Sequence, residues 1–208
     1  MCGRAGRSGS DDVGFFHSAS AADLNGDGLP DVVVTDVRDP AVLYAFNNRG
    51  AGVFEREAAS RWPHSLAGKP MFTVELVDVN EDGHPDALVG GHEWEGNDAL
   101  VLINPGNNQF YQFNPITVPA VPGEGVILDV VVTGSGATRA LWLLRTSGGN
   151  GTYYQSRTIQ KIQWPSLAST IQLRERPGQW FPWLIPTALD GVPVVASEDA
   201  HVAVRIEQ

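Results

Sequence analysis

Apolar residues in this chain come in short, mostly β-branched or aliphatic runs: Val32-Val33-Val34, Val42-Leu43-Tyr44-Ala45-Phe46, Ala87-Leu88-Val89, Ala99-Leu100-Val101-Leu102-Ile103, Val126-Ile127-Leu128 and Ala140-Leu141-Trp142-Leu143-Leu144. Gly, Asn, Asp and Pro break them at short intervals. No stretch free of turn-formers is long enough for the helices of a bundle. The pattern predicts many short strands with tight connections, an all-β chain.

The runs repeat. Ala22-Asp23-Leu24-Asn25-Gly26-Asp27-Gly28-Leu29-Pro30-Asp31-Val32-Val33-Val34 matches Val77-Asp78-Val79-Asn80-Glu81-Asp82-Gly83-His84-Pro85-Asp86-Ala87-Leu88-Val89, with Asp23 and Asp78 55 residues apart. A second strand ending in Asn follows each, at Asn47 and Asn104, then a Gly-containing turn and an aromatic-bearing strand, around Val53-Phe54-Glu55 and Gln109 to Phe113. Strand, acidic loop, strand, turn, strand, turn, strand in about 50 residues is the plan of a propeller blade. One such sheet cannot bury both faces, so neighbours must stack on it.

The second half keeps the rhythm without the loops: Val126 to Thr133, Ala140 to Leu144, Thr152 to Lys161, then Trp180 to Ile185, Val192 to Ala196 and His201 to Ile206. The expected fold is an all-β, propeller-like array of about four blades of four-stranded antiparallel sheets, either closed on itself or part of a larger propeller. After a flexible lead at residues 1–12, one domain spans 13–208, with blades near 13–60, 68–117, 122–165 and 168–208. The last unit lacks a fourth strand. Either the segment around Gly14-Phe15-Phe16 closes the ring, or the array continues in a larger propeller.

The two acidic loops have the chemistry of a hard-cation site, which wants several oxygen donors at close range. Asp23, Asn25, Asp27, the Leu29 carbonyl and Asp31 form one set; Asp78, Asn80, Asp82, the His84 carbonyl and Asp86 form the other. Gly28 and Gly83 sit at the sharp turn. An EF-hand would carry a bidentate Glu at its twelfth position, where this chain has Val34 and Val89. Two structural calcium ions are expected. Asp129 falls near the first position of a third loop, but Val131, Thr133 and Arg139 stand where further ligands would, so no third site is expected.

The Asp-x-Asn-x-Asp-Gly-x-Pro-Asp loops with Val-Val-Val or Ala-Leu-Val after them closely resemble FG-GAP/VCBS repeats, the integrin-α-like propeller blades of extracellular and cell-surface proteins. The resemblance is strong over residues 15–115 and only rhythmic over 120–208. It implies adhesion, carbohydrate-binding or partner-docking scaffolds, and in some members the body of a polysaccharide lyase or related sugar enzyme. It implies an extracellular, periplasmic or cell-surface setting without choosing among these functions.

Composition narrows the rest. A net charge of −10 argues against nucleic-acid binding, which needs clustered Lys and Arg. No apolar run is long enough to span a bilayer. The single cysteine, Cys2, has no partner for an internal disulfide; the opening residues read as a disordered tail, with a lipid-bearing Cys2 as the sharper alternative. His92 and Glu93, in the segment from Gly90 to Asp98, are candidate acid–base residues, and Trp94 a candidate sugar platform; the bland reading is a polar loop whose Trp packs on a neighbouring blade. His17, His64 and His92 would converge at a central channel if they came from equivalent blade ends. Trp142 is expected in the core, and Trp180 and Trp183 between blades. Two functions stay open: a non-catalytic, calcium-stabilised scaffold binding carbohydrate or protein, and a polysaccharide lyase or sugar dehydratase using His92 and Glu93. Oligomeric state is not legible in the sequence.

Overall fold

The computed structural model describes residues 14–38, 42–57, 61–149, 153–176, 183–197 and 202–206. The chain builds four antiparallel sheets in sequence order. The first holds β1 (Phe16–Ala22), β2 (Asp31–Asp36), β3 (Val42–Asn48) and β4 (Phe54–Arg56); the second β5 (Met71–Val77), β6 (Asp86–Gly91), β7 (Leu100–Leu102) and β8 (Ile116–Thr117). The third holds β9 (Val126–Thr133), β10 (Ala140–Thr146), β11 (Arg157–Gln163) and β12 (Ser169–Glu175). The fourth has three strands among the described residues, β13 (Leu184–Leu189), β14 (Val192–Ser197) and β15 (Ala203–Arg205). Every strand pairs with its sequence neighbour, the meander of a propeller blade. The arrangement is propeller-like.

Alternation decides which face each residue serves. Val33, Leu43 and Ala45 of the first sheet pack on Val74, Ala87, Val89, Leu100 and Leu102 of the second. Leu88 and Val101, on the second sheet's other face, meet Val130, Leu141, Leu143 and Ile162 of the third. Trp142, Leu144 and Ile159 then meet Leu184, Val195 and Val202 of the fourth. Trp142 is fully buried, as expected of its apolar run.

Short polar side chains stitch the inner strands, whose edges would otherwise carry unpaired backbone groups. Ser18 and Ser20 on β1 accept the Val74 and Leu76 N–H groups through Oγ, at 3.2 and 3.0 Å. Thr73 on β5 donates to the Ile127 carbonyl of β9 at 2.6 Å, and Asp129 on β9 accepts the Leu184 N–H of β13. Asp129 is thus a junction residue inside a strand rather than the start of a loop.

Several sequence expectations move. The third unit does not end at 165, nor the fourth begin at 168: Ser169–Glu175 pairs with β11 as the outer strand of the third sheet. The Trp164-to-Ala168 segment, read as a blade boundary, is a tight hairpin loop closed by hydrogen bonds between Gln163 and Leu167–Ala168. Phe110–Gln112 is a 3-10 turn, not a strand; Phe110 leaves the sheet to stack on Trp62 at 4.7 Å, and Ile116–Thr117 supplies the fourth strand. Trp183 is 55% exposed rather than packed between blades, while Trp180 and Cys2 lie outside the described residues. The segment at Phe15–Phe16 leads into β1 of the first sheet and does not complete the fourth.

Candidate functional site

The two acidic loops share most of their hydrogen bonds. Asp23 Oδ1 accepts the Gly26 and Asp27 N–H groups (2.7 and 3.2 Å) and its Oδ2 accepts Gly28 (2.8 Å); Asp78 accepts Asp82 and Gly83 (3.2 and 2.9 Å). Asn25 accepts Asp27 at 2.9 Å and Asn80 accepts Asp82 at 3.1 Å. Asp27 and Asp82 each accept the N–H two residues on, from Leu29 and His84, both at 2.9 Å. These Asx turns fold the chain on its own carboxylates, which suits Asp and Asn and no apolar residue. Gly28 and Gly83 take φ of 84° and 86°, a region costly to other residues.

The last acid of each loop is buried and ties it to the sheet. Asp31 accepts Leu24 N–H through Oδ2 (3.2 Å) and Asn48 N–H through Oδ1 (2.8 Å); Asp86 accepts Val79 (2.9 Å) and Asn104 (2.8 Å) in the same way. Asn48 and Asn104 return the contact, donating through Nδ2 to the Pro30 and Pro85 carbonyls, each at 3.1 Å. The structural counterpart of Asn104 is therefore Asn48, not the Asn47 suggested by the strand end. Arg139, from the third sheet, donates to the Asp78 and Val79 carbonyls and so covers the second loop from its neighbour.

Electrostatics divide the acids. Asp23 is held below the usual carboxylate range, first by the Gly28 N–H. Burial pushes Asp86 up to about 6, and the nearby charges of Asp82 and Asp78 add to it. A bound cation would relieve that repulsion. Every side-chain and carbonyl donor that the sequence assigns here is oxygen. Among the described residues no three His, Cys, Asp or Glu side chains gather closely enough to hold an ion alone. Any ion held in these loops would have to draw on carboxylate, amide and carbonyl oxygens together, the donor set of a hard cation.

The opposite ends of the inner strands form a different surface. β1 and β5 each run into an acidic loop, so their first residues, with His92 after β6, lie at the far end. There a cavity of about 250 Å³ is lined by His17, Phe72, Glu75, His92, Tyr154 and Trp183, with contributions from all four blades. Phe72 stacks on His92 at 3.8 Å and His92 on Trp94 at 4.4 Å; His17 meets Phe72 edge-on at 5.0 Å, and Trp94 meets Tyr153 at 5.7 Å. His17 and His92 share this cavity. His64 does not line it; it sits exposed in the short 3-10 helix His64–Leu66. On the cavity wall, burial and the charge of Asp129 push Glu75 up to about 7, against the pull of the Ser20 hydroxyl.

Residues 23–89 match the family described as the FG-GAP-like repeat. This stretch is similar to FG-GAP-like repeats. It is 38% identical over 97 residues to integrin alpha-PS5 of Drosophila melanogaster, 43% of this chain and 10% of that one. Over 126 residues it is 33% identical to integrin alpha-7 of Homo sapiens, 54% of this chain and again 10% of the relative. The chain spans about a tenth of the length of these curated relatives.

Within this array, His92 and Glu93 point to different tasks. Glu93 Oε1 accepts from Arg145 Nη1 at 2.8 Å, while His92 Nδ1 faces Glu95 Oε2 at 3.1 Å. Arg145 is fully buried, and Gln160 and the Glu124 and Pro119 carbonyls accept its remaining donors. Trp94 lies over Gly148 and Gly149, where an added Cβ would come within 2.4 and 3.0 Å of its ring. Arg145, Glu75 and Tyr154 escape sequence reasoning because each sits in an ordinary strand or turn. The paired Asn residues after the third strand were the one available signal for the bracket.

Proposed function

We propose that this chain is a calcium-stapled, non-catalytic binding domain of an extracytoplasmic protein. The ions would be held in the loops Asp23–Asp31 and Asp78–Asp86, and the ligand, carbohydrate or protein, taken at the aromatic cavity opposite. One observation carries the reading: two oxygen-donor loops with the same hydrogen bonds lie at one end of the array, and a ring-lined cavity at the other. Loops at propeller ends are where binding residues collect on a rigid scaffold. The commitment of Glu93 to Arg145 supports binding over acid–base chemistry, because it leaves His92 without that carboxylate as a partner. Among the described residues no helix is long and apolar enough to cross a membrane.

Two measurements test this. Melting curves with calcium and with chelator should differ, the chelated chain unfolding at lower temperature; coincident curves overturn the staple. Fluorescence titration of the exposed Trp94 and Trp183 with neutral and acidic oligosaccharides should give a saturable change that Trp94→Ala weakens. Unsaturated sugar products in the same mixtures, abolished by His92→Ala, would instead make the chain a lyase.

A further inference from the structure

The two acidic loops differ at the residue that follows their asparagine: Gly26 after Asn25, Glu81 after Asn80. That residue decides a chemical property. The backbone nitrogen after an asparagine can attack the side-chain carbonyl carbon, Cγ, and expel ammonia. A β-carbon on the following residue obstructs the approach, and glycine has none. Gly26 takes φ of 77°, and a Cβ built on it would meet nothing within 4 Å. Asn25 itself is exposed, so its amide has room to turn. Glu81 is instead tied down, its Oε2 accepting the Gly136 N–H from the third blade at 2.7 Å.

The first loop also assists both partners of this reaction. The Gly26 N–H donates to Asp23 Oδ1 at 2.7 Å, so the attacking nitrogen already has an acceptor for its proton. Asn25 Oδ1 accepts the Asp27 N–H at 2.9 Å, which stabilises the charge that develops on this oxygen when Cγ is attacked. Among the described residues the Glu81 N–H makes no matching bond to Asp78, whose carboxylate takes the Asp82 and Gly83 N–H groups. The Asn80 amide is also held from its other end, Nδ2 donating to Asp82 Oδ2 at 2.9 Å.

We propose that Asn25 is a self-modification site, deamidated by the chemistry of the first acidic loop. The Gly26 nitrogen bonds to Asn25 Cγ while its proton passes to the Asp23 carboxylate. The Cγ–Nδ2 bond then breaks, and the side-chain nitrogen leaves as ammonia, taking up that proton. Water opens the cyclic imide at either carbonyl. One product is aspartate at position 25; the other is isoaspartate, which adds a carbon to the backbone. Aspartate brings a further negative charge to the loop, whereas isoaspartate shifts the spacing on which the Asx turns depend. An ion drawing on Asp23 and Asn25 together would hold both still, so the loop modifies itself fastest when no ion is bound. This dependence on an ion rests on the calcium reading above; the reaction itself does not.

The test incubates the full chain in mildly alkaline buffer, with calcium or with chelator, and follows it by peptide mapping and mass spectrometry. In chelator the Asn25 peptide should convert to its aspartate and isoaspartate forms while the Asn80 peptide stays intact, and calcium should slow the conversion. Gly26→Glu should abolish it. Asp23→Asn should slow it, with unchanged circular dichroism showing that the fold is kept. An intact Asn25 peptide, equal conversion at Asn80, or conversion unmoved by either variant would each overturn the proposal. Conversion of Asn25 at one rate with and without calcium would instead overturn the calcium reading of this loop and uphold the site.

Discussion

Glu93 and Arg145 meet across the boundary between the second and third blades, Oε1 to Nη1 at 2.8 Å, with the guanidinium wholly out of solvent. Burial pushes the arginine's pKa down while Glu93 holds it up. Removing one partner of a buried pair strands the other charge, which typically costs about 3–5 kcal/mol. Glu93→Ala is therefore expected to lower the urea midpoint strongly. His92→Ala removes ring contacts with Phe72 and Trp94 and should lower it by much less. Equal midpoints for the two variants would contradict the structural role assigned to Glu93.

The Asn bracket behind each acidic loop gives a graded pair of variants. Asn104 is fully buried, and its Oδ1 accepts the Gly106 and Asn108 N–H groups at 3.0 and 3.1 Å while Nδ2 donates to Pro85. Asn48 makes the matching contacts to Gly50 and Pro30 from a half-exposed position, where water can replace them. Leaving buried groups unpaired costs about 1–3 kcal/mol each. Asn104→Ala should destabilise the chain by more than about 2 kcal/mol, and Asn48→Ala by less than half as much. Chemical denaturation of the two variants measures the difference directly.

The loops were legible because Asx turns are local: Asp23, Asp27, Asp78 and Asp82 meet N–H groups within their own loops, so type and spacing specify these turns. The bonds from Asp31 and Asp86 to Asn48 and Asn104 reach outside them. Strand alternation likewise announced the blades and the buried Trp142. What failed depends on distance in sequence. Whether Ser169–Glu175 joins the sheet before or after it rests on pairing with Arg157–Gln163, and a strand's own pattern is indifferent to that choice. Gln109 to Phe113 has the aromatic content of a strand, yet Phe110 stacks on Trp62 from another element. Arg145 and Glu93 are 52 residues apart, and nothing near either one signals the other.

Gly148 and Trp94 supply a steric prediction. A methyl group at Gly148 would come within 2.4 Å of the indole and 2.8 Å of Val126 Cγ2. Overpacking of this kind typically costs about 1–3 kcal/mol. The side chain that can yield is Trp94, which is 37% exposed. Gly148→Ala is expected to move the indole off His92, shift the tryptophan emission maximum and weaken any ligand that stacks at the cavity mouth. Unchanged emission would mean that the backbone yields instead, and that Trp94 is held more firmly than its exposure suggests.

Glu75 sets a pH dependence opposite in sign to that of an ordinary ion-paired carboxylate. Its pKa of about 7 in the folded chain stands above the usual 4.5, chiefly through burial and then through Asp129. Between those two values the folded chain holds a proton that the unfolded chain has released. Stability from this group is therefore full below about pH 4.5, falls as pH rises through the window, and levels off above about pH 7. The upper limit of the loss is about 3 kcal/mol, and partial solvent access reduces it. Glu75→Gln keeps a neutral side chain that can still meet the Ser20 hydroxyl, so the variant should match the parent near pH 5 and exceed it at pH 8. His17 and His92 line the same cavity and Asp129 acts on Glu75 by its charge, so the comparison is made as the difference between variant and parent at each pH. A difference that stays constant from pH 5 to 8 would show that Glu75 is already ionised in the folded chain.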